Sequence, residues 1–400
     1  MQKLPLFIIS LILSINCFAN KGLIPFREGE KWGYLNLEGK VVIPARFDKT
    51  FPFKEGFGRF AHQDLFGYIK PDGTLLTPNI FREAYDFSEG LARVKEGPVW
   101  AFIDGRGKEV FTITGEDVTD FKNGMAIFER KGFKGYINKK GKEIFPPILT
   151  QADLFMNSAA RVKVGKFYGL IDRNGEFILP LALDYIGIPI DSVIRVKTGG
   201  HWWIYTNKGE KVTHAKESIS GEFSCGMAVV RVMDPSLIVW RRYINAEGEI
   251  PNENEYIWAG TFKHNAAVVK VEVNDNELYG VINREGNWVV EPSFSKTSGV
   301  YSEGLLGVEK GGKWGFIDTR GNWVVEPIYD DVEEFKNGFA MVSKGQRKWG
   351  LINKSGELKV PCQYDIAMEG EYYFMAILGY YKSFYDLNGN LIWADKPDEE

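Results

Sequence analysis

Apolar and polar positions alternate along this chain in short bursts, and one burst keeps returning. An aromatic residue, usually a Gly, two apolar positions, Asn or Asp, two free positions and a second Gly follow one another. The clearest copies are KWGYLNLEG at Lys31, KWGFIDTRG at Lys313 and KWGLINKSG at Lys348. The first Gly position recurs eleven times, at 33, 67, 101, 135, 169, 203, 242, 280, 315, 350 and 383. The intervals are 34 five times, then 39, 38, 35, 35 and 33. A period of this size, kept from end to end, describes an array of small supersecondary units rather than one irregular core.

Superposing the copies predicts the elements. The position after the first Gly is always apolar (Tyr34, Tyr68, Phe102, Tyr136, Leu170 and so on), as is the next (Leu35, Ile69, Ile103, Ile137, Ile171), with β-branched and aromatic residues prevailing. That is strand chemistry. Asn or Asp then stands in nine of eleven copies, with Gly three residues later in all of them. An Asx side chain that caps the backbone and a Gly that accepts positive φ make a tight turn. Each unit reads as strand, hairpin loop, strand, turn, strand and link; helical periodicity is absent. The expected fold is all-β: a tandem array of about eleven three-stranded antiparallel meanders of roughly 34 residues. The array is either open and curved, or superhelical, or closed into a ring.

With F-x-x-G-[LMF]-A-x-V, W-G-[YF]-I-[DN]-x-x-G and an apolar run ending in Pro and often Tyr-Asp, the units resemble the WG-repeat (KWG) family. Phe121 to Phe128 followed by Gly135 to Gly141 is a full instance. The resemblance covers nearly the whole chain and implies a binding or scaffolding module without family-wide catalytic residues. Trp32, Gly33, Gly67, Gly135, Gly169, Gly280, Trp314, Gly315, Trp349 and Gly350 are its structural positions here. The recurrent aromatic is expected to form a half-buried row packing repeat on repeat, and the Gly to let a neighbouring backbone approach. Four copies depart from the pattern, with Ala101, Trp203, Arg242 and Ser383 at the Gly position.

Charge narrows the partners. Forty-nine basic and 53 acidic residues give a net charge of −4 without a basic cluster, so nothing builds the phosphate-neutralising surface that nucleic acid needs. Residues 1–19 read as a signal peptide: Lys3, an apolar stretch from Leu4 to Ile15, and the small-x-small end Cys17-Phe18-Ala19. That run is too short to span a bilayer, and the repeat register starts at about Lys21. Export to periplasm, cell surface or medium is therefore expected. A lipid anchor at Cys17 is disfavoured by the Ser14-Ile15-Asn16 that precedes it. The array occupies 20–394, and 395–400 form an acidic tail. Cys225 and Cys362 lie about four repeats apart, so no disulfide is expected between them.

Two interruptions are the candidate binding residues. In two successive units the hairpin is longer by five and four residues, within 227–280. The expectation is a pair of long loops, Met233 to Arg241 and Glu272 to Leu278, projecting together with Trp240, Arg241, Asp275 and Asn276, because loops on a rigid scaffold often bind. Asn265 takes the place of a turn Gly just before the second. The duplicated GNWVVEP places Trp288 and Trp323 at a position that elsewhere holds Val41, Leu75, Phe177 and Leu358 but also Glu109, Glu143 and Lys211, which predicts at least partly exposed rings suited to sugar or peptide stacking. For catalysis there is little: four scattered His residues, no metal spacing, no nucleophile motif and no phosphate loop. The D-x-x-G turns lack the ligand count of a calcium site, and no cofactor or metal is expected. The sequence reads as an exported, non-enzymatic scaffold binding a macromolecule, most simply a protein. The alternatives are an envelope-glycan module using Trp288 and Trp323, and a secreted hydrolase.

Overall fold

A computed structural model describes residues 22–156, 158–215, 217–345, 347–370 and 373–395. The expected signal peptide, and the acidic tail beyond Asp395, lie outside these residues. Among the described residues there is no helix; the chain forms eleven small antiparallel sheets whose strands follow one another in chain order. The expectation of three strands per unit needs correction. Nine sheets have four strands and only the first and seventh have three. The extra strand comes from the link between repeats. In sheet two it is Lys49–Thr50, which pairs with Ala61 and Phe60 of the next strand. Two residues show no period, so a pattern reading assigns them to a loop.

The chain divides into two compact units. One holds residues up to 147 with 369–374 and 391–394; the other holds 148–368, 375–390 and the end. Within the first, the last strand, Leu391–Ala394, lies against the turn of the first sheet, where a Cβ on Gly39 would stand 2.2 Å from the Ile392 carbonyl oxygen.

The core lies between sheets. The strand bearing the WG motif is buried on both faces, and its period of two sends successive side chains opposite ways. In the first unit, Tyr34 of sheet one shares a buried cluster with Ile69 of sheet two, and Phe102 of sheet three shares one with Ile137 of sheet four. In the second, Tyr243 of sheet seven meets Ile282 of sheet eight, and Phe316 of sheet nine meets Ile352 of sheet ten. The residue after the Gly enters the interface with the following sheet, and the next residue enters the interface with the preceding one. Both positions are apolar for this reason. Each such side chain contributes about 1.5–3 kcal/mol when fully buried.

Polar links run along the same interfaces. Tyr34, Tyr68 and Tyr243 each donate their hydroxyl to a backbone carbonyl 17 residues on, those of Phe51, Tyr85 and Gly260. Burial raises all three phenols well above their ordinary pKa. Arg93 Nε lies 2.7 Å from Asp120, and its Nη1 donates to the Val118 carbonyl at 2.7 Å, both in the next sheet. Its guanidinium also covers the ring of Tyr85 at 3.3 Å. Arg59, Arg161 and Arg195 repeat the reach to the next sheet's carbonyls, those of Ala84, Ile186 and Ile219.

The Lys of KWG also has a partner. Lys31, Lys313 and Lys348 pair with Asp48, Asp330 and Asp365, the acids that end the apolar run. The second carboxylate oxygen accepts the backbone N–H of Gln63, Gly345 or Gly379 in the following unit. The Lys, and then that N–H, hold these three carboxyls below the usual range. The Asx turns form as read: Asp318 Oδ1 accepts the N–H of Arg320 and Asn322, each at 2.9 Å. The aromatic row is half-buried at Trp32, Trp314 and Trp349 and buried at Trp100. Cys225 and Cys362 are free thiols.

The Gly of WG has a specific cause. In sheet nine Trp314 pairs with Tyr329 and Phe316 with Val325, so three residues of the fourth strand bulge across Gly315. A Cβ there would stand 2.4 Å from the Val325 carbonyl oxygen. A Cβ on Gly33, Gly135 or Gly350 would stand 2.4, 2.6 or 2.5 Å from the carbonyl oxygens of Ile43, Phe145 and Val360. Every unit with this Gly also has a Pro five or six residues after its turn Gly: Pro44, Pro78, Pro146, Pro180, Pro292, Pro327 and Pro361. A Pro gives no ladder donor and suits a bulge. The four units without the Gly have no such Pro. In sheets three and six, Ala101 pairs directly with Thr112, and Trp203 with His214, with no bulge at that point. In sheet seven the fourth strand is missing and Arg242 forms ion pairs with Glu253 and Glu255. Gly and Pro are one device in two places. Gly315→Ala should therefore lower stability by about 1–3 kcal/mol, the usual cost of overpacking. Ala101→Gly should cost only about 0.5–1 kcal/mol. Urea midpoints of the two variants check this; equal midpoints would contradict it.

Candidate binding surface

The two lengthened hairpins differ from the expected loops, because most added residues extend strands. In sheet eight, Ala266–Val273 pairs residue for residue with Asn276–Asn283, ending at Val273 opposite Asn276. Only Asn274 and Asp275 turn the chain, both at positive φ (50° and 62°). This primed turn matches strand twist; the added length is further ladder. Asp275 is exposed, and Asn276 is spent on the turn, donating its side-chain N–H to the Asn274 carbonyl at 2.9 Å. Asn265, before this hairpin, has φ 62°, as the missing Gly required.

In sheet seven, Met227–Met233 pairs with Val239–Asn245, leaving a five-residue tip, 234–238. Asp234 organises that tip. Its Oδ1 accepts the N–H of Ser236 at 2.8 Å and of Ile238 at 2.9 Å, and its Oδ2 accepts the Trp240 indole N–H at 3.2 Å. Trp240 is half-buried, with its polar edge satisfied inside the hairpin. Arg241 is likewise engaged: its backbone exchanges two 3.0 Å hydrogen bonds with Tyr256, and its guanidinium donates to the Ile257 carbonyl. The residues turned to solvent are apolar members of the same Met233–Arg241 segment. Met233 is 62 % exposed, Leu237 76 %, Ile238 51 % and Val239 39 %. Their signal was present: an apolar L-I-V run directly after the Asp-Pro-Ser turn, where a tip residue is ordinarily polar.

The paired Trp residues also part company. Trp288 is 37 % exposed and lies across Gly280, its ring edge 2.7 Å from where a Cβ would stand. Trp323 is half-buried, meets Phe294 edge-on at 5.9 Å, and packs on the core between sheets eight and nine. They do not form two equivalent open rings.

Hydrogen bonds from the Ile238 N–H, then from the Trp240 indole and the Ser236 N–H, hold the Asp234 carboxyl below its ordinary value of 3.8. A depressed carboxylate stabilises the fold above the unfolded pKa, and loses that contribution as pH falls through the lower native value. The tip should therefore be ordered at neutral pH and loosen only below about pH 3.8. An acid titration of tryptophan fluorescence should show a transition that Asp234→Asn removes. Superimposable titrations would mean that this carboxylate does not order the tip.

The profile of the WG-containing-repeat family matches residues 32–62, 66–97, 100–132, 135–166, 168–202, 279–314, 314–347 and 349–369. The unmatched stretch, 203–278, holds the lengthened hairpin of sheet seven and most of that of sheet eight. No relative was found among curated proteins. Among solved structures, a eukaryotic initiation factor is 11 % identical, covers 93 % of this chain and 94 % of its own, and has a TM-score of 0.40. Hsv2 of Kluyveromyces marxianus is 11 % identical over 66 % of this chain and 96 % of its own, at 0.27. The extracellular domain of a one-component system from B. thetaiotaomicron is 7 % identical over 96 % and 71 %, at 0.23. At these scores the likenesses say nothing about function. The repeat matches cover well over half of the sequence, and the chain belongs to the WG-containing-repeat family.

Proposed function

We propose that this chain is an exported, non-enzymatic scaffold that binds another protein through the hairpin tip of sheet seven. The observation that carries this reading is the apolar tip itself, with Met233, Leu237, Ile238 and Val239 all exposed. Such a tip costs solubility unless a partner covers it. It is held in one conformation by Asp234, so little ordering entropy is lost on docking. It also stands on a strand pair two residues longer than that of sheet two, whose second and third strands are Gly58–His62 and Leu65–Ile69. Export rests on the signal pattern of residues 1–19. The absence of enzymatic activity rests on the lack of any nucleophile, metal or phosphate motif in the sequence.

Leu237→Ser combined with Ile238→Ser is the test. Both side chains are exposed, so the melting temperature should stay within a few degrees of the parent. Capture of partner protein from native envelope extract should fall by about tenfold or more, as for a hot-spot loss of roughly 2 kcal/mol. Unchanged capture would remove the tip from the account.

A further inference from the structure

Sheet three departs from its neighbours in a way that opens a site. Its fourth strand, Glu109–Ile113, is the outer edge of the sheet. In sheets one, two, five, eight, nine and ten the corresponding edge is bulged and carries a Pro, two devices that keep an edge strand from pairing with another chain. Here the bulge across the Gly position and the Pro are both gone: Ala101 pairs with Thr112 and Phe102 with Phe111, and the one irregularity left falls at Val110, between the pairs Phe102–Phe111 and Ile103–Glu109. The edge therefore offers regularly spaced backbone donors and acceptors over Phe111–Ile113.

The lost bulge also leaves space. A groove of about 550 Å³ lies between the end of the fourth strand of sheet two, at Ile80 and Phe81, and the face of sheet three carrying Ala101 and Thr112. Val99 and the half-open Ile80, 40 % exposed, give it an apolar wall. Glu96 and Glu109 are on its lining, and neither makes an ion pair among the described residues. Sheet six, which also lacks the bulge across the Gly position, carries Trp203 there. His214 packs edge-on against that ring at 4.8 Å, and Lys211 lies 3.2 Å from its centre. Small Ala101 keeps the groove of sheet three open.

We propose that the edge of Glu109–Ile113 is a strand-addition site for an extended peptide bearing a Lys or Arg. The peptide continues the sheet as a fifth strand, with backbone hydrogen bonds giving affinity and alternate side chains giving specificity. Residues two apart share a face, so one apolar side chain meets Ile80 and Val99 while a cation lies with Glu96 at the Trp100 end of the groove or with Glu109 at the Ile103 end. This deepens the protein-binding reading above by naming a second contact and its chemistry.

The probe is a library of end-capped eight-residue peptides, each mixture fixing one residue type at one position, tested on the full chain by fluorescence anisotropy. Mixtures fixing Lys or Arg at one position should bind about tenfold tighter than those fixing Glu there, a factor ordinary for a close interfacial charge pair. E96Q with E109Q, both surface changes, should erase that preference. Ala101→Gly with Thr112→Pro, which recreates the Gly–Pro pair, should abolish peptide binding, and peptide should slow amide exchange in 109–113 of the parent protein only. Absence of binding by every mixture, equal binding of Lys and Glu mixtures, or a preference that survives E96Q with E109Q would overturn the proposal. The Leu237→Ser, Ile238→Ser variant separates the two readings: it should bind peptide like the parent while losing its native partner.

Discussion

In nine of the eleven sheets the WG strand is buried on both faces, and this constraint organises the rest of the molecule. A sheet of three or four short strands has two apolar faces and no element of its own to cover either. The clusters joining Tyr34 to Ile69, Phe102 to Ile137 and Tyr243 to Ile282 show where the cover comes from. Interface area supplies the favourable term and chain ordering opposes it, so stability accrues with each added neighbour. The polar links fit the same logic. The Tyr hydroxyls, the Arg93-type guanidinium reaches and the Lys–Asp pairs span successive units, or connect a unit to the start of the next. They fix the angle at which apolar faces meet more than they add energy, since exposed ion pairs contribute little.

The Gly–Pro pair is the second constraint and links local chemistry to binding. Where Gly315 and Pro327 stand, the fourth strand crosses the third and blunts its own edge. Where Ala101 and Thr112 stand, the two strands pair directly, and a groove lies beside them. A fold of near-identical units gains individuality at the places where a repeat rule is broken. Sheet seven illustrates the same thing differently: Arg242 takes the Gly position, its partner position holds Glu253, and the fourth strand gives way to an ion-paired segment.

Much of this was legible in the sequence. The period, the Asx turns, the half-buried aromatic row, the close approach at Gly33 and the positive φ of Asn265 all follow from residue type and spacing. The fourth strand was not legible, because Lys49–Thr50 and its counterparts are too short to show alternation. The hairpin of sheet eight is a ladder where a loop is expected: V-E-V before Asn274-Asp275 alternates as a strand should, but counting inserted residues does not say whether they pair. At the candidate site, Trp240 and Arg241 drew notice as residue types, while the exposed side chains are Leu237 and Ile238. Exposure depends on which partner an indole or guanidinium finds, and Asp234 and the Ile257 carbonyl are invisible to a repeat alignment. The coupling of Gly to Pro was present in the aligned copies, but it appears only when two columns are compared rather than one.

The most direct measurement of interface-held stability is a series of fragments cut at repeat boundaries and ending at Tyr364. They would start near residues 295, 257, 217 and 184, so that each adds one whole sheet to the last. Urea midpoints and amide protection should rise with each sheet, with the two-sheet fragment largely unfolded and protection of the shared residues growing as neighbours are added. A two-sheet fragment already as protected as the same residues in the full chain would contradict the account, since each sheet would then hold itself together.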